Sequence, residues 1–192
     1  MVRILRQRKF HLFFPNATCV KKLTLDFHFC IYSSIELLNV SRNEIDGNTF
    51  PNRFESTALK TVDLSFNDFN GAFDISSLMG LVNVQNLQLT DCSIQSSLPD
   101  DINVLQSLVT LNLDSNSLSG TVPSTLGEIN SLQNILLAAN QITGTIPSEL
   151  AQLENLRILE LQSNLLSGTI PIEFESLCCL DSFDYSGNSI SD

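Results

Sequence analysis

The chain repeats itself at a nearly constant interval, and this interval limits the folds open to its 192 residues more than any other feature. Asparagine recurs every 24 or 25 residues in the same apolar surroundings, and cysteine takes its place once. The seven positions are Asn43, Asn67, Cys92, Asn116, Asn140, Asn164 and Asn188. A period of this length is typical of a solenoid, in which each unit buries its apolar face against its neighbours. We therefore predict seven stacked repeats over residues 35–192, the last of them incomplete.

Each recurring position lies in the frame Leu-x-x-Leu-x-Leu-x-x-Asn-x-Leu, of which residues 108–118 are the clearest copy. Leucine alternates with polar residues at the centre of the frame, which predicts a short strand with one buried face. A carboxamide that leaves such a strand can bond backbone groups of the neighbouring turn. We predict that the seven recurring side chains, Cys92 included, form a polar ladder through the array.

Three units continue into a second motif, Gly-x-[Ile/Val]-Pro. Its copies are Gly120-Thr121-Val122-Pro123, Gly144-Thr145-Ile146-Pro147 and Gly168-Thr169-Ile170-Pro171. The combined string Leu-Ser/Thr-Gly-x-Ile-Pro resembles the plant-specific leucine-rich repeat of receptor-like kinase ectodomains, of related extracellular proteins and of some algal repeat proteins. The resemblance covers residues 35–192, which is most of the chain.

This resemblance implies an α/β repeat solenoid, a segment of a right-handed leucine-rich-repeat horseshoe. Parallel strands are expected on its concave face, a second short strand near the Gly-x-Ile-Pro segment, and 3₁₀, helical or irregular turns on its convex side. The residues agree, because apolar side chains recur at every third position after the motif, a spacing that suits a tight turn with one buried edge. One such series is Pro123, Leu126, Ile129 and Leu132.

Residues 1–34 fit no complete repeat, and we treat them as an irregular N-terminal segment that forms a cap. The resemblance implies paired cysteines in such a cap, and Cys19 and Cys30 are the candidates, although the family's Trp-bearing motif between them is missing. The basic residues before Phe10 and the short apolar stretch after it resemble a signal peptide only weakly. If the chain is secreted, Asn16 is the expected glycosylation acceptor, because the other sequon, at Asn39, falls within a predicted strand.

Cys92 interrupts the predicted ladder, because a thiol is a weaker hydrogen-bonding group than a carboxamide. We expect the weakest repeat of the array at this position. Restoring the amide with Cys92→Asn is therefore expected to raise the melting temperature.

The sequence stops at Asp192, before the seventh unit completes its loop and turn. Terminal repeats normally need a polar capping unit that keeps the last apolar layer from water. We therefore expect the chain to be a fragment of a longer protein.

Charge is distributed unevenly along the chain. The formal net charge is −11, and Arg157 is the only basic residue beyond Lys60. Because affinity for nucleic acids depends on Lys and Arg, such an acidic body argues against a nucleic-acid partner. No stretch reaches the roughly 18 apolar residues that a transmembrane helix needs, so no membrane span is predicted.

Catalytic motifs are missing from the sequence: it has no Gly-x-Ser-x-Gly elbow, phosphate loop or His-Glu-x-x-His pair. Glu160 and Asp184 occupy one strand column and should lie about 4.8 Å apart, a distance that suits a calcium site or a retaining glycosidase pair. We favour a solvated acidic face, and we expect Cys178 and Cys179 to be buried thiols and not metal ligands. The prediction is a chain without catalytic residues, cofactor or metal.

Strand alternation identifies the residues that should line the concave face. They are Asn39, Asp63, Gln88, Asn112, Leu136, Glu160 and Asp184. Leu136 is the apolar exception, and we expect Ala138, Ala139 and Ile158 to lie near it in an exposed apolar patch, with Leu165 at the far edge of the strand. The alternative is that these are isolated exposed apolar residues of no function. Acidic residues are expected to surround the patch, namely Asp63, Asp91, Asp114, Glu160 and Asp184.

The function predicted from these features is recognition without catalysis. The concave face would bind a protein, peptide or glycan, and the family resemblance implies an extracellular or cell-surface receptor-like protein. One alternative is an intracellular, cytoplasmic scaffold for protein interactions, and another is a carboxylate-dependent enzyme acting on glycans. A repeat array does not itself define the ligand or the oligomeric state.

Overall fold

A computed structural model provides the structure of the chain. It describes residues 10–13 by their backbone, and residues 35–45, 47 and 56–191 in full. Within these ranges the molecule is a stack of short strands and 3₁₀ turns around one continuous apolar core. The α/β repeat solenoid predicted from the sequence is confirmed, and its turns are of the 3₁₀ type.

The main sheet has eight parallel strands whose spatial order follows the chain. They are β1 (Phe10–Phe13), β2 (Ile35–Asn39), β3 (Thr61–Asp63), β4 (Asn86–Gln88), β5 (Thr110–Asn112), β6 (Asn134–Leu136), β8 (Ile158–Glu160) and β10 (Ser182–Asp184). From β5 onward, equivalent residues of successive units pair directly, as Leu111 does with Ile135. The sequence period thus fixes the strand register.

Three further strands form a second parallel sheet beside the first. They are β7 (Thr143–Gly144), β9 (Leu165–Thr169) and β11 (Ser189–Ser191), in the order β11, β9, β7. β7 and β9 contain residues of the Gly-x-Ile-Pro motif, and Thr121 of the preceding copy forms a bridge with Thr143. The second strand that the family resemblance implied is therefore present.

Among the described residues, five 3₁₀ turns lie on the opposite side of the core from the main sheet. They are η1 (Ile75–Leu78), η2 (Ile102–Val104), η3 (Ser124–Glu128), η4 (Ser148–Gln152) and η5 (Ile172–Ser176). Each of η3, η4 and η5 starts after a proline in extended conformation, which has no N–H that the turn would leave unpaired. The apolar residues at every third position point inward, and Leu126 and Leu150 are completely buried. These turns are the side predicted to be convex.

The strand β1 pairs with β2 at the start of the array, with an irregularity between Phe10 and His11. β1 lies within residues 1–34, for which the sequence predicts an irregular segment. Asn16, Cys19 and Cys30 lie outside the described residues, so the expected glycosylation and disulfide bond remain predictions.

The asparagine ladder has the predicted form. Asn140 donates from Nδ2 to the carbonyl oxygens of Leu113, Leu137 and Ala138 at 3.0–3.1 Å, and its Oδ1 accepts from the Leu118 N–H at 3.0 Å. Equivalent bonds to the preceding unit are made by the ladder residues Asn67, Asn116, Asn164 and Asn188. Each amide therefore ties its own strand end to the loop of the preceding unit.

At Cys92 two different groups replace the ladder amide: the thiol takes the place of the donor, and the backbone carbonyl takes the place of the acceptor. The thiol lies 3.3 Å from the carbonyl oxygen of Leu64 and 3.4 Å from that of Thr90, where an amide would donate. The Phe69 N–H, whose counterparts in other units bond an asparagine Oδ1, donates to the backbone carbonyl of Cys92 at 3.1 Å. The one unit of 25 residues thus satisfies its backbone without a side-chain acceptor.

A second set of equivalent residues, one in each unit, shares an uncommon backbone conformation. The residue before each ladder position has a left-handed conformation, with φ between 53° and 69°. The seven residues are Arg42, Phe66, Asp91, Ser115, Ala139, Ser163 and Gly187. This conformation ends each strand of the main sheet and turns the chain so that the ladder side chain enters the core.

Candidate recognition surface

The solvent-facing side of the main sheet, which we term the strand face, corresponds to the predicted concave surface. The middle residue of each three-residue strand is turned into the core, as Leu111, Ile135 and Leu159 are, whereas the residues on either side of it are half-buried. The face is therefore built from two residues of each strand.

Leu136 and Ile158 are the apolar side chains at the centre of the predicted patch, and both are half-buried on the strand face. Leu136 pairs in register with Glu160, and Ile158 pairs with Asn134. The two apolar residues are thus diagonal neighbours on adjacent strands, where long side chains can contact each other.

The structure corrects the rest of the apolar patch. Ala138 is only 8% exposed, because the chain turns inward after β6. Its methyl group is therefore not part of the surface, and its backbone N–H bonds the Asp114 side chain. Ala139 is exposed, but it lies in the left-handed turn beyond the strand. Leu165 is 60% exposed and begins β9 in the second sheet, so it is not on the strand face.

Asp114 lies two residues beyond the end of β5, the strand that pairs with β6. Its Oδ1 accepts a hydrogen bond of 2.7 Å from the Ala138 N–H. Burial raises the pKa of Asp114 above its ordinary value, the bond from Ala138 opposes that rise, and the negative charge of Glu160 adds to it. A cation placed between the two carboxylates would relieve this repulsion.

Glu160 and Asp184 occupy adjacent strands in register, as predicted. The side chains nevertheless have separate partners: Glu160 accepts from the Ser182 hydroxyl at 3.0 Å, and Asp184 accepts from the Ser186 N–H at 2.9 Å. The two bonds from Ser186 hold the pKa of Asp184 below its ordinary value. These hydrogen bonds favour the interpretation of an ionised acidic face.

The amino-terminal half of the strand face is polar. Asn39 donates to Asp63 at 2.8 Å, and the Thr90 hydroxyl donates to Asn112 at 2.9 Å. Because Asn39 is bonded to Asp63, its side chain is already engaged within the sheet. Polar side chains of this half therefore bond one another between strands, whereas Leu136 and Ile158 have no polar groups to do so.

Of the three basic side chains among the described residues, Arg42 lies over the ring of Phe66, and the other two are each paired with an acid of the adjacent unit. Lys60 lies 3.5 Å from Glu36, and Arg157 lies 3.4 Å from Asp181. Both pairs are largely exposed and contribute little to stability. They neutralise charge at the start of the strands.

Groups of metal-ligating side chains are not found among the described residues. Cys178 and Cys179 are exposed, which corrects the expectation of buried thiols, because their turn follows η5 on the surface. In the same part of the chain there is no helix with the length and hydrophobicity required to cross a bilayer.

The family comparison agrees with this geometry. The model of the Leucine Rich Repeat family matches residues 107–129, 131–153 and 155–177. Each matched segment starts just before a strand of the main sheet and runs through the following 3₁₀ turn, so it corresponds to one structural unit.

Three solved structures show which type of repeat this is. The BIR2 ectodomain from Arabidopsis thaliana is 36% identical, with a TM-score of 0.55 over 57% of this chain and 58% of that one. The ectodomain of the plant membrane receptor kinase GASSHO1/SCHENGEN3 from Arabidopsis thaliana, in complex with CASPARIAN STRIP INTEGRITY FACTOR 2, is 27% identical, with a TM-score of 0.59 over 82% of this chain. The PEPR1–AtPEP1 structure is 28% identical, with a TM-score of 0.73 over 84% of this chain. Residues 107–177 match leucine-rich repeats, and the chain is similar to plant leucine-rich-repeat ectodomains.

This leucine-rich-repeat chain is short beside two of these structures. It spans 23% of the PEPR1 chain and 22% of the GASSHO1/SCHENGEN3 chain. No curated protein is similar enough to count as a match. The comparisons therefore establish the fold, and they leave the ligand of this leucine-rich-repeat chain open.

Proposed function

We propose that the chain is a non-catalytic recognition module whose strand face binds an extended segment of a peptide or protein. The segment would place an apolar side chain against Leu136 and Ile158 and a basic side chain beside Asp114 and Glu160. The observation that carries this proposal is the position of half-buried Leu136, which is in register with Glu160 and two residues before Ala138, the residue that bonds Asp114; neither acid pairs with a basic side chain among the described residues.

Apolar side chains in the centre of an interface, surrounded by charged groups, are the usual arrangement of a binding hot spot. The acids add selectivity, because they attract a basic group and repel an acidic one. A glycan offers neither a basic group nor a large aliphatic side chain. The chemistry of this face therefore favours a peptide or protein over a glycan.

The related structures support the same conclusion at the level of the family. The GASSHO1/SCHENGEN3 ectodomain was solved in complex with CASPARIAN STRIP INTEGRITY FACTOR 2, and PEPR1 with AtPEP1. We infer that the present chain serves in a receptor-like protein at the cell surface, with its array exposed to the extracellular space. Occupied glycosylation at Asn16 in material from its native source would support this location.

The binding proposal can be tested without knowing the natural partner. The folded chain is immobilised and used to select from a displayed library of random peptides. We expect the enriched peptides to combine a large apolar residue with a neighbouring Lys or Arg. Selection of acidic peptides, or of none, would contradict the proposed chemistry.

Two substitutions then locate the binding site of the selected peptides. Leu136→Asp removes the apolar contact and adds a charge, whereas Leu136→Asn introduces the residue that already occupies the equivalent position 112. We expect both to weaken binding at least tenfold, which corresponds to about 1.4 kcal/mol. The matched control is Val104→Asp, since Val104 is 41% exposed on η2 at the opposite side. Equal losses in the control would place the binding site elsewhere.

An intracellular scaffold is the second candidate, and the exposed thiols of Cys178 and Cys179 are the observation in its favour. Thiols of this kind persist more readily in a reducing compartment. Determining whether Asn16 carries a glycan separates the two locations.

A further inference from the structure

Two adjacent cysteines lie on the surface far from the strand face. Cys178 and Cys179 follow η5 and precede β10, both are exposed, and their Sγ atoms are 3.8 Å apart. The pair lies in the turn that leads to Asp181. Solvent molecules can therefore reach both sulfurs at once.

In three other units the residue equivalent to Cys179 donates a side-chain hydrogen bond to the preceding unit, which Cys179 does not do. Asn83 Nδ2 donates to the Thr57 carbonyl at 2.8 Å, the Ser131 hydroxyl to Gln106 at 2.9 Å, and Asn155 Nδ2 to Asn130 at 3.3 Å. Each of these bonds ties a convex turn to the unit before it. The hydrogen bond recorded for the Cys179 thiol is instead with Cys178.

The two thiols also influence each other's ionisation. The pKa of Cys179 is raised, first by its hydrogen bond with Cys178 and by the charge that a Cys178 thiolate would carry, while Arg157 acts in the opposite direction. Such a pair loses its protons one after the other.

We propose that Cys178 and Cys179 form a site of reversible oxidation by small-molecule disulfides, in which the two neighbouring residues close into a disulfide. One thiolate attacks the small disulfide, forming a mixed disulfide and releasing the first small thiolate. The second cysteine loses its proton and attacks the protein sulfur of the mixed disulfide, which releases the second small thiolate. The cysteines lose two electrons and two protons, and one small disulfide becomes two thiols.

Adjacency makes the reaction fast to complete and easy to reverse. The second sulfur is already 3.8 Å from the first, so the mixed disulfide is displaced within the molecule. Neighbouring Cα atoms are about 3.8 Å apart, closer than the roughly 4.4–6.8 Å usual for a disulfide. The closed form is consequently strained, and strained disulfides are the ones that thiols reduce readily.

Trypsin allows this site to be observed alone, because Arg157 is the last basic residue and residues 158–192 contain no other cysteine. The folded full chain is treated with glutathione disulfide at about pH 8, where thiolates form, then alkylated and digested. Peptide masses are compared for the natural sequence, Cys178→Ser and Cys179→Ser. Cys92 serves as the internal control, since it is completely buried and stays unmodified while the protein is folded.

We expect the natural peptide to lose two hydrogens, to carry no glutathione and to resist alkylation. Each single variant should keep one glutathione on its remaining cysteine, because no neighbour displaces it. Adding reduced glutathione should return two alkylatable thiols to the natural peptide. Stable glutathione on the natural peptide, a disulfide to another peptide, or resistance to reduced glutathione would each overturn the proposal.

Discussion

Cys92 is completely buried at a position where the neighbouring units have a carboxamide. Burial raises the pKa of its thiol to about 12, so it remains protonated and unreactive in the folded chain. The S–H group faces two carbonyl oxygens, and the Phe69 N–H is bonded to the backbone of Cys92. Every backbone group that an asparagine would bond in this position therefore already has a partner.

Cys92→Asn is expected to lower stability, contrary to the expectation from the sequence. The new Nδ2 would donate to Leu64 and Thr90, but its Oδ1 would be buried without a donor as long as Phe69 bonds the Cys92 carbonyl. An unsatisfied buried acceptor costs about 1–3 kcal/mol, which exceeds the gain from a better donor. Urea unfolding of the two proteins measures the difference. A higher midpoint in the variant would show that the Phe69 N–H transfers to the new amide.

The positive φ of the residue before each ladder position could not be predicted from the sequence. Gly187 suits a positive φ, but Phe66 and Ala139 give no signal of it, because such conformations are uncommon for residues with a side chain. Surrounding hydrogen bonds impose the conformation, such as that from the Ala139 N–H to Gln162. The repeat period locates the equivalent residue in every unit, but only the fold shows that its φ is positive.

At the scale of elements, each ladder amide joins a strand to the loop of the preceding unit. Asn140 is 8% exposed and bonds four backbone groups that have few alternatives. Six of the main-sheet strands described, from β3 onward, have only three residues each, and such short strands form few hydrogen bonds of their own. The ladder therefore adds to the register that the pairing of the strands sets.

Asn140→Ala is expected to destabilise the chain by about 3 kcal/mol, because it leaves buried backbone groups without partners and creates a small cavity. The control is Asn130→Ala, which removes an exposed side chain from the opposite side of the same unit and should change stability by less than about 0.5 kcal/mol. Denaturant unfolding monitored by circular dichroism gives both values. Similar losses of stability in the two variants would mean that the ladder bonds of Asn140 stabilise the chain no more than an exposed asparagine does.

The sequence predicted the elements of the array well because a repeated pattern carries the same information several times. The strands containing Leu111 and Ile135 and the turns containing Leu126 and Leu150 follow directly from apolar spacing. β1 was not predicted, since Phe10–Phe13 has no alternating pattern. The inward turn at Ala138 was also missed, because strand alternation does not show where a strand ends.

At the scale of the whole molecule, charge is the dominant property of the surface. The chain carries 21 acidic and 10 basic residues, and two of the basic side chains, Lys60 and Arg157, are engaged with neighbouring acids. Such a molecule attracts basic partners over distances comparable to the Debye length, and salt shortens that length. The acidic body therefore affects the rate of encounter more than the final contacts.

Association with a selected basic peptide is expected to slow at least several-fold between about 0.05 M and about 0.5 M salt, with a smaller change in dissociation. Asp114→Asn should reduce this dependence because it removes a charge next to the binding site. Leu136→Asn should weaken binding without altering the slope, since it leaves the charge unchanged. Surface plasmon resonance at several salt concentrations measures both rates. A salt-independent association rate would exclude electrostatic attraction by the strand face.

The ladder bonds between units join residues only 22 to 28 positions apart, so each unit is tied to its immediate neighbours and to no others. One unit contains a single extra residue, between Asn67 and Cys92, and the strands on either side of it still pair through equivalent residues. Deleting or duplicating a whole unit would consequently join two faces that already match. Gene segments of this length can therefore be gained or lost by recombination while the rest of the molecule keeps its contacts, and the length of the array can change during evolution independently of its binding residues.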